Sequence, residues 1–188
     1  VVSTNNTLLI REIPFTKQAL SRQEMYSLAY YIKDSRIEKE RIKECRFYRY
    51  KYLKESIQDF ILRKTERLME SGIFKNKVDD NFKLKILATV LSFDERIVNL
   101  IEIFDYTEEI PKLAIYAGDK NLFNEQDLIT LAFLNLVGID IVIFTPTNYN
   151  NIELGLKEKY YDIVQLPKVK YNLQIPENIK RFSVKEGL

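Results

Sequence analysis

Between Pro111 and Phe144 the chain alternates a short apolar run, a capped helical pattern and a second apolar run, and this alternation restricts the possible folds more than any other feature. Leu113-Ala114-Ile115-Tyr116-Ala117 is short and almost wholly apolar, as expected for a strand buried on both faces. Asn124-Glu125-Gln126-Asp127 then opens a helix: Asn124 is a good N-cap, and the acids favour the positive end of the helix dipole. Leu128, Leu131, Ala132, Phe133 and Leu136 supply its apolar side, and Gly138 stops it. Ile139–Phe144 reads as the next strand, closed by Thr145-Pro146-Thr147-Asn148. A further helix over about 151–159 and a third strand at Tyr161-Asp162-Ile163-Val164 complete a Rossmann-like parallel β-α-β-α-β unit with right-handed crossovers. Beyond Pro167 the chain reads as an irregular tail.

The first 110 residues read as mainly helical, so the predicted class is α/β, with a helical region over 1–110 and the Rossmann-like unit over 111–188. Leu8-Leu9-Ile10 predicts a short edge strand or extended arm. Ser21-Arg22-Gln23-Glu24 fits a capping box opening a helix over about 22–33. A charged stretch without a breaker, followed by Ile57, Phe60, Ile61 and Leu68 at helical spacing, predicts one long helix or two abutting helices from about 36 to 70, closed by Ser71-Gly72. Asp79-Asp80 caps the next helix, and Ser92-Phe93-Asp94-Glu95 reads as a second capping box. The chain starts at Val1 without methionine, which fits a fragment of a longer protein.

Composition excludes several chemistries. Histidine is absent, which rules out Ser-His-Asp and Cys-His catalysis and His/Cys zinc sites within these 188 residues. No metal site is expected, and no cofactor can be assigned. The single cysteine, Cys45, cannot form an internal disulfide. Lys+Arg 29 against Asp+Glu 27 leaves a net charge of +2, too even to argue for nucleic acid or a membrane. No apolar run approaches the roughly 20 residues of a membrane span.

In an open parallel sheet, ligands bind outside the carboxyl ends of the strands. Here those ends lead into Gly118-Asp119-Lys120-Asn121 and Thr145-Pro146-Thr147-Asn148-Tyr149-Asn150. Each loop feeds a helix N-terminus, whose free amides can hold an anion. The candidate ligand-binding residues are therefore Gly118, Asp119, Lys120, Asn124, Thr145, Thr147 and Asn148, and a phosphate or nucleotide suits them. The same residues also serve as ordinary turn and cap residues, and no G-x-G-x-x-G or Walker A loop is present. A second candidate is Arg46-Phe47-Tyr48-Arg49-Tyr50-Lys51-Tyr52, where Arg46, Arg49 and Lys51 offer contacts to an anionic partner or nucleic acid. On a helix, Tyr48 and Tyr52 would instead form an i,i+4 packing pair.

The stretch from Ile110-Pro111-Lys112-Leu113 through Val137-Gly138-Ile139-Asp140 to Phe144-Thr145-Pro146-Thr147, with Asn150-Asn151-Ile152-Glu153 and a later Leu166-Pro167, resembles the YceG-like family. That resemblance covers about residues 105–178. It implies a bacterial, cytoplasmic component of a biosynthetic module encoded with tellurite-resistance (Ter) stress genes, with a nucleoside-like metabolite as product. It carries over no catalytic residues. Three functions stay open: binding of a nucleotide or nucleotide-sugar-like ligand, enzymatic or not; a non-catalytic scaffold among Ter-system proteins; and nucleic-acid binding through residues 46–54.

Overall fold

A computed structural model describes residues 7–16, 20–104, 110–117, 122–146 and 151–167. Its sheet is built from β1 (Thr7–Ile10), β4 (Lys112–Tyr116) and β5 (Asp140–Phe144) in the order β1-β4-β5, all parallel. β1 joins in register with β4, Leu8 beside Leu113 and Ile10 beside Ile115. The third strand of the sheet thus comes from the amino-terminal end of the chain. Residues 161–164, expected as that strand, are outside any described sheet.

Between β1 and β4 lie α1 (Arg22–Ala29), a small hairpin of β2 (Ile32–Lys33) and β3 (Arg36–Ile37), α2 (Lys39–Glu44), α3 (Glu55–Glu70), α4 (Asp80–Val90) and α5 (Glu95–Glu102). The βαβ crossover from β4 to β5 runs through α6 (Glu125–Val137), and a single turn, α7 (Ile152–Gly155), follows. The described residues therefore form a mixed fold of seven helices around a three-stranded parallel sheet, with the β2-β3 hairpin apart from it.

α6 packs against β5 on one side and against α3 and α4 on the other. This explains why Ile129, Leu131, Ala132, Phe133, Leu134 and Val137 are all buried, more than a single apolar stripe would supply. Its ends follow the sequence. Asn124 and Asp127 form a reciprocal capping box, and Gly138 at φ 110° takes the left-handed position at the C-terminus. The predicted box Ser21–Glu24 also forms, and Asp79 caps α4 by accepting from Phe82 N at 2.8 Å. At α5 the cap is Asp94, which accepts from Ile97 N, while Ser92 Oγ donates back to Ala88 O within the end of α4.

The expected helix over 36–70 is interrupted. Asp34 and Ser35 both take positive φ, 49° and 65°, and turn the chain into the β2-β3 hairpin. Ile37 N then donates to the buried Glu66 carboxylate at 2.8 Å, and Lys39 Nζ lies 2.9 Å from its other oxygen. After α2, residues 45–54 run in turns, and the helix resumes only at Glu55. There Ile61, Leu62, Leu68 and Met69 are buried along α3.

A candidate functional site at the carboxyl ends of the strands

Because β1, β4 and β5 are parallel, Ile10, Tyr116 and Phe144 end at the same edge of the sheet. Side chains from α6 and its surroundings tie the loops that follow. Asp127 is fully buried at the third position of α6. Its Oδ1 accepts from Phe15 N (3.1 Å), Thr16 N (3.0 Å) and Thr16 Oγ1 (2.8 Å), while Oδ2 accepts from Asn124 N (3.1 Å). One carboxylate thereby holds the loop after β1 against the start of α6, with bonds to ionised acceptors stronger than neutral ones. Asn151 fastens the chain after β5 in a similar manner. Its Oδ1 accepts from Phe123 N (2.9 Å), and its Nδ2 donates to Phe123 O (2.7 Å). Ala117 N donates to Phe144 O at 2.8 Å, joining the ends of β4 and β5.

Two clefts open around this edge. One, of about 190 Å³, lies at the end of β1 and is lined by Leu9, Ile10, Arg11, Glu12, Phe15 and Arg96. Arg96 is held in place by Asp94 Oδ2, 2.7 Å from Nη2 and 3.2 Å from Nε. The other, of about 200 Å³, lies by the N-terminus of α6, where Phe74 and Phe82 pack edge to face at 5.0 Å beside Asn151, Leu154 and Gly155. The first cleft presents guanidinium and carboxylate groups, the second mainly apolar surface. Among the described residues no group of three or more His, Cys, Asp and Glu side chains is placed to hold a metal ion.

Of the sequence-derived candidates, Asn124 and Thr145 are described, and both stand on loops at this edge. The Asn124 side chain is committed to its own helix, accepting from Asp127 N at 2.7 Å. Gly118, Asp119, Lys120, Thr147 and Asn148 lie outside the described residues. Arg11, Glu12 and Arg96 were not singled out by the sequence, because only the joining of β1 to β4 brings the first two to this edge. Asp127 was legible as a helix-start acid but not as an anchor for residues more than a hundred positions away.

The basic and aromatic run folds differently from a helix. Tyr48 and Tyr50 are buried, Tyr50 donates to Val90 O, and the two rings meet edge to face at 6.0 Å. Arg46, Arg49, Lys51 and Tyr52 stay exposed on these turns, with the Arg46 guanidinium 4.4 Å from the Phe47 ring centroid. Beneath them, Lys43 Nζ lies 2.7 Å from Asp59 Oδ1, a contact carried by charge. The ion pair with Asp59 raises the Lys43 pKa above its ordinary value despite partial desolvation. Burial pushes the Tyr48 hydroxyl up to about 12, with Lys43 opposing and Asp59 reinforcing the shift.

The described residues define a chain of mixed helix and strand in which three parallel strands end at one edge of the sheet. The chain belongs to the YceG domain family, whose pattern matches residues 1–184. It is 25% identical over 162 residues to "Uncharacterized protein YceG" of Bacillus subtilis (strain 168), covering 84% of this chain and 30% of that protein. The chain thus spans about a third of the length of this curated relative. No solved structure matches it. Among the described residues, no helix is long and apolar enough to cross a membrane.

Proposed function

We propose that this chain binds a nucleotide or nucleotide-sugar-like ligand at the carboxyl ends of β1, β4 and β5, as the Rossmann-like part of a cytoplasmic biosynthetic component in toxic-ion stress response. The observation that carries the reading is the parallel register of all three strands, which delivers three loops to one edge. Open parallel sheets receive ligands at such an edge because backbone amides and loop side chains converge there without blocking the core. Arg11 and Arg96 in the cleft beside β1 suit the anionic end of such a ligand. The stress-response setting rests on family resemblance alone.

The test is thermal stabilisation by a panel of nucleotides, nucleotide-sugars and inorganic pyrophosphate. Ligand at a hundred times its Kd should stabilise the native state by about 2.7 kcal/mol. A hit lost in Lys120→Ala, Asn148→Ala or Arg96→Ala locates the site at this edge. A panel without any shift, or a hit untouched by all three substitutions, overturns the assignment.

A further inference from the structure

Asp162-Ile163-Val164-Gln165-Leu166 repeats the pattern of β5, Asp140-Ile141-Val142-Ile143-Phe144, with Asp, Ile and Val in the same first three places. The segment nonetheless belongs to no described sheet. Ile163, Val164 and Leu166 are 72%, 80% and 62% exposed, a row of apolar side chains that a folded chain seldom leaves in water.

Its root explains why it does not pair with its own sheet. Leu156 is buried and bridges Phe74 in antiparallel sense. Lys157 N donates to Ile73 O (2.9 Å), Lys75 N to Gly155 O (2.9 Å) and Tyr160 Oη to Ser71 O (2.9 Å). These bonds fasten residues 155–160 to the turn between α3 and α4, so the segment departs from the helical layer as an arm. Meanwhile β5 is the outer strand of the described sheet, paired only with β4. Val142 and Phe144 are exposed on the face that carries Ala114 and Tyr116.

We propose that the 161–167 arm of one copy of this chain adds as a fourth strand beside β5 of a second copy, and reciprocally. Among the described residues the chain supplies both a strand without a sheet and a sheet edge without a neighbour, so two copies satisfy each other in a closed twofold exchange. Strand addition gives the main-chain hydrogen bonds, and alternation of side chains gives the fit. Val164 and Leu166 extend the Val142 and Phe144 face, and Ile163 falls on the side of Ile141 and Ile143.

Sedimentation equilibrium over a concentration series tests this on the intact chain. A reversible dimer is expected. Val164→Asp with Leu166→Asp in the arm, and separately Ile143→Pro in the edge, where the backbone N–H points away from β4, should each raise the dimer Kd at least about tenfold. The arm variant is expected to keep its far-ultraviolet circular dichroism, because both side chains lie outside the core. Mixing arm-blocked with edge-blocked protein restores one good arm–edge pair and should recover a mixed dimer. A monomer at every concentration, a dimer indifferent to both variants, or failure of the mixture to associate overturns the proposal.

Discussion

Asp127 is the residue on which most depends at the strand ends, since one carboxylate satisfies two backbone amides and a hydroxyl across the molecule and caps its own helix. Removing one partner of buried polar groups costs their full desolvation. Asp127→Ala should therefore cost about 3 kcal/mol in urea unfolding, because it leaves several buried or half-buried donors without an acceptor. Thr16→Val, which removes only the hydroxyl bond, should cost about 1 kcal/mol. Tyr48 is the opposite case: its hydroxyl is buried with no hydrogen-bond partner. Tyr48→Phe should leave stability within about 1 kcal/mol of the parent or raise it, because it deletes an unsatisfied polar group. The same hydroxyl has its pKa raised to about 12. Above pH 10 the unfolded chain releases this proton while the folded one keeps it, so stability falls between about pH 10 and 12. Lys43, also raised, loses its contribution as the pH rises above about 10.5. Titration of the unfolding free energy should show a shallower alkaline slope in Tyr48→Phe than in the parent.

At the scale of elements, Gly138 stands at φ 110° beyond α6, a region costly for any side chain. Gly138→Ala should lower stability by about 1 kcal/mol, read from the urea midpoint at unchanged slope. That glycine, the Asn124 cap and the apolar runs around them were legible in the sequence because each is decided within a few residues. The break in the expected 36–70 helix was not. Ile57, Phe60, Ile61 and Leu68 carry a true helical period, and nothing in the charged residues before them forbids its extension backwards. What stops it is tertiary: over the turns at 45–54 Tyr48 and Tyr50 are buried, and Tyr50 donates to Val90 O, 40 positions away. The choice of third strand was equally non-local. Leu8-Leu9-Ile10 and Ile163-Val164 have comparable strand character, and the register of β1 with β4 decides between them. For the candidate site, the expected loop residues 118–121 and 147–148 lie outside the described residues, and the Arg11, Glu12 and Arg96 cleft depends on that same pairing.

Taken as a whole, the molecule is one apolar cluster running from Ile10 and Phe15 through α3 and α4 to Phe133 and Ile139. The helices between β1 and β4 hold this cluster together from one side and the sheet from the other. The helical layer carries its own polar ties, among them Lys64 Nζ, which donates to Leu136 O at 2.7 Å. Burial, with the nearby Arg67 adding to it, lowers the Lys64 pKa. Lys64→Met keeps the stem and removes the ammonium, and should change stability by less than about 1.5 kcal/mol, measured by thermal unfolding at neutral pH.

The pairing of Thr7–Ile10 with Lys112–Ile115 also sets an order of events during synthesis. A ribosome releases the β1 sequence first, yet its neighbour in the sheet emerges only after more than a hundred further residues. Until then Leu8, Leu9 and Ile10 have no strand to join, while α3 and α4 already possess each other as partners. Contacts this far apart in sequence form slowly because the intervening chain must first be gathered in. The β1 segment therefore waits as an unpaired apolar stretch, and chaperone capture of the growing chain should concentrate there until Lys112–Tyr116 has cleared the exit tunnel.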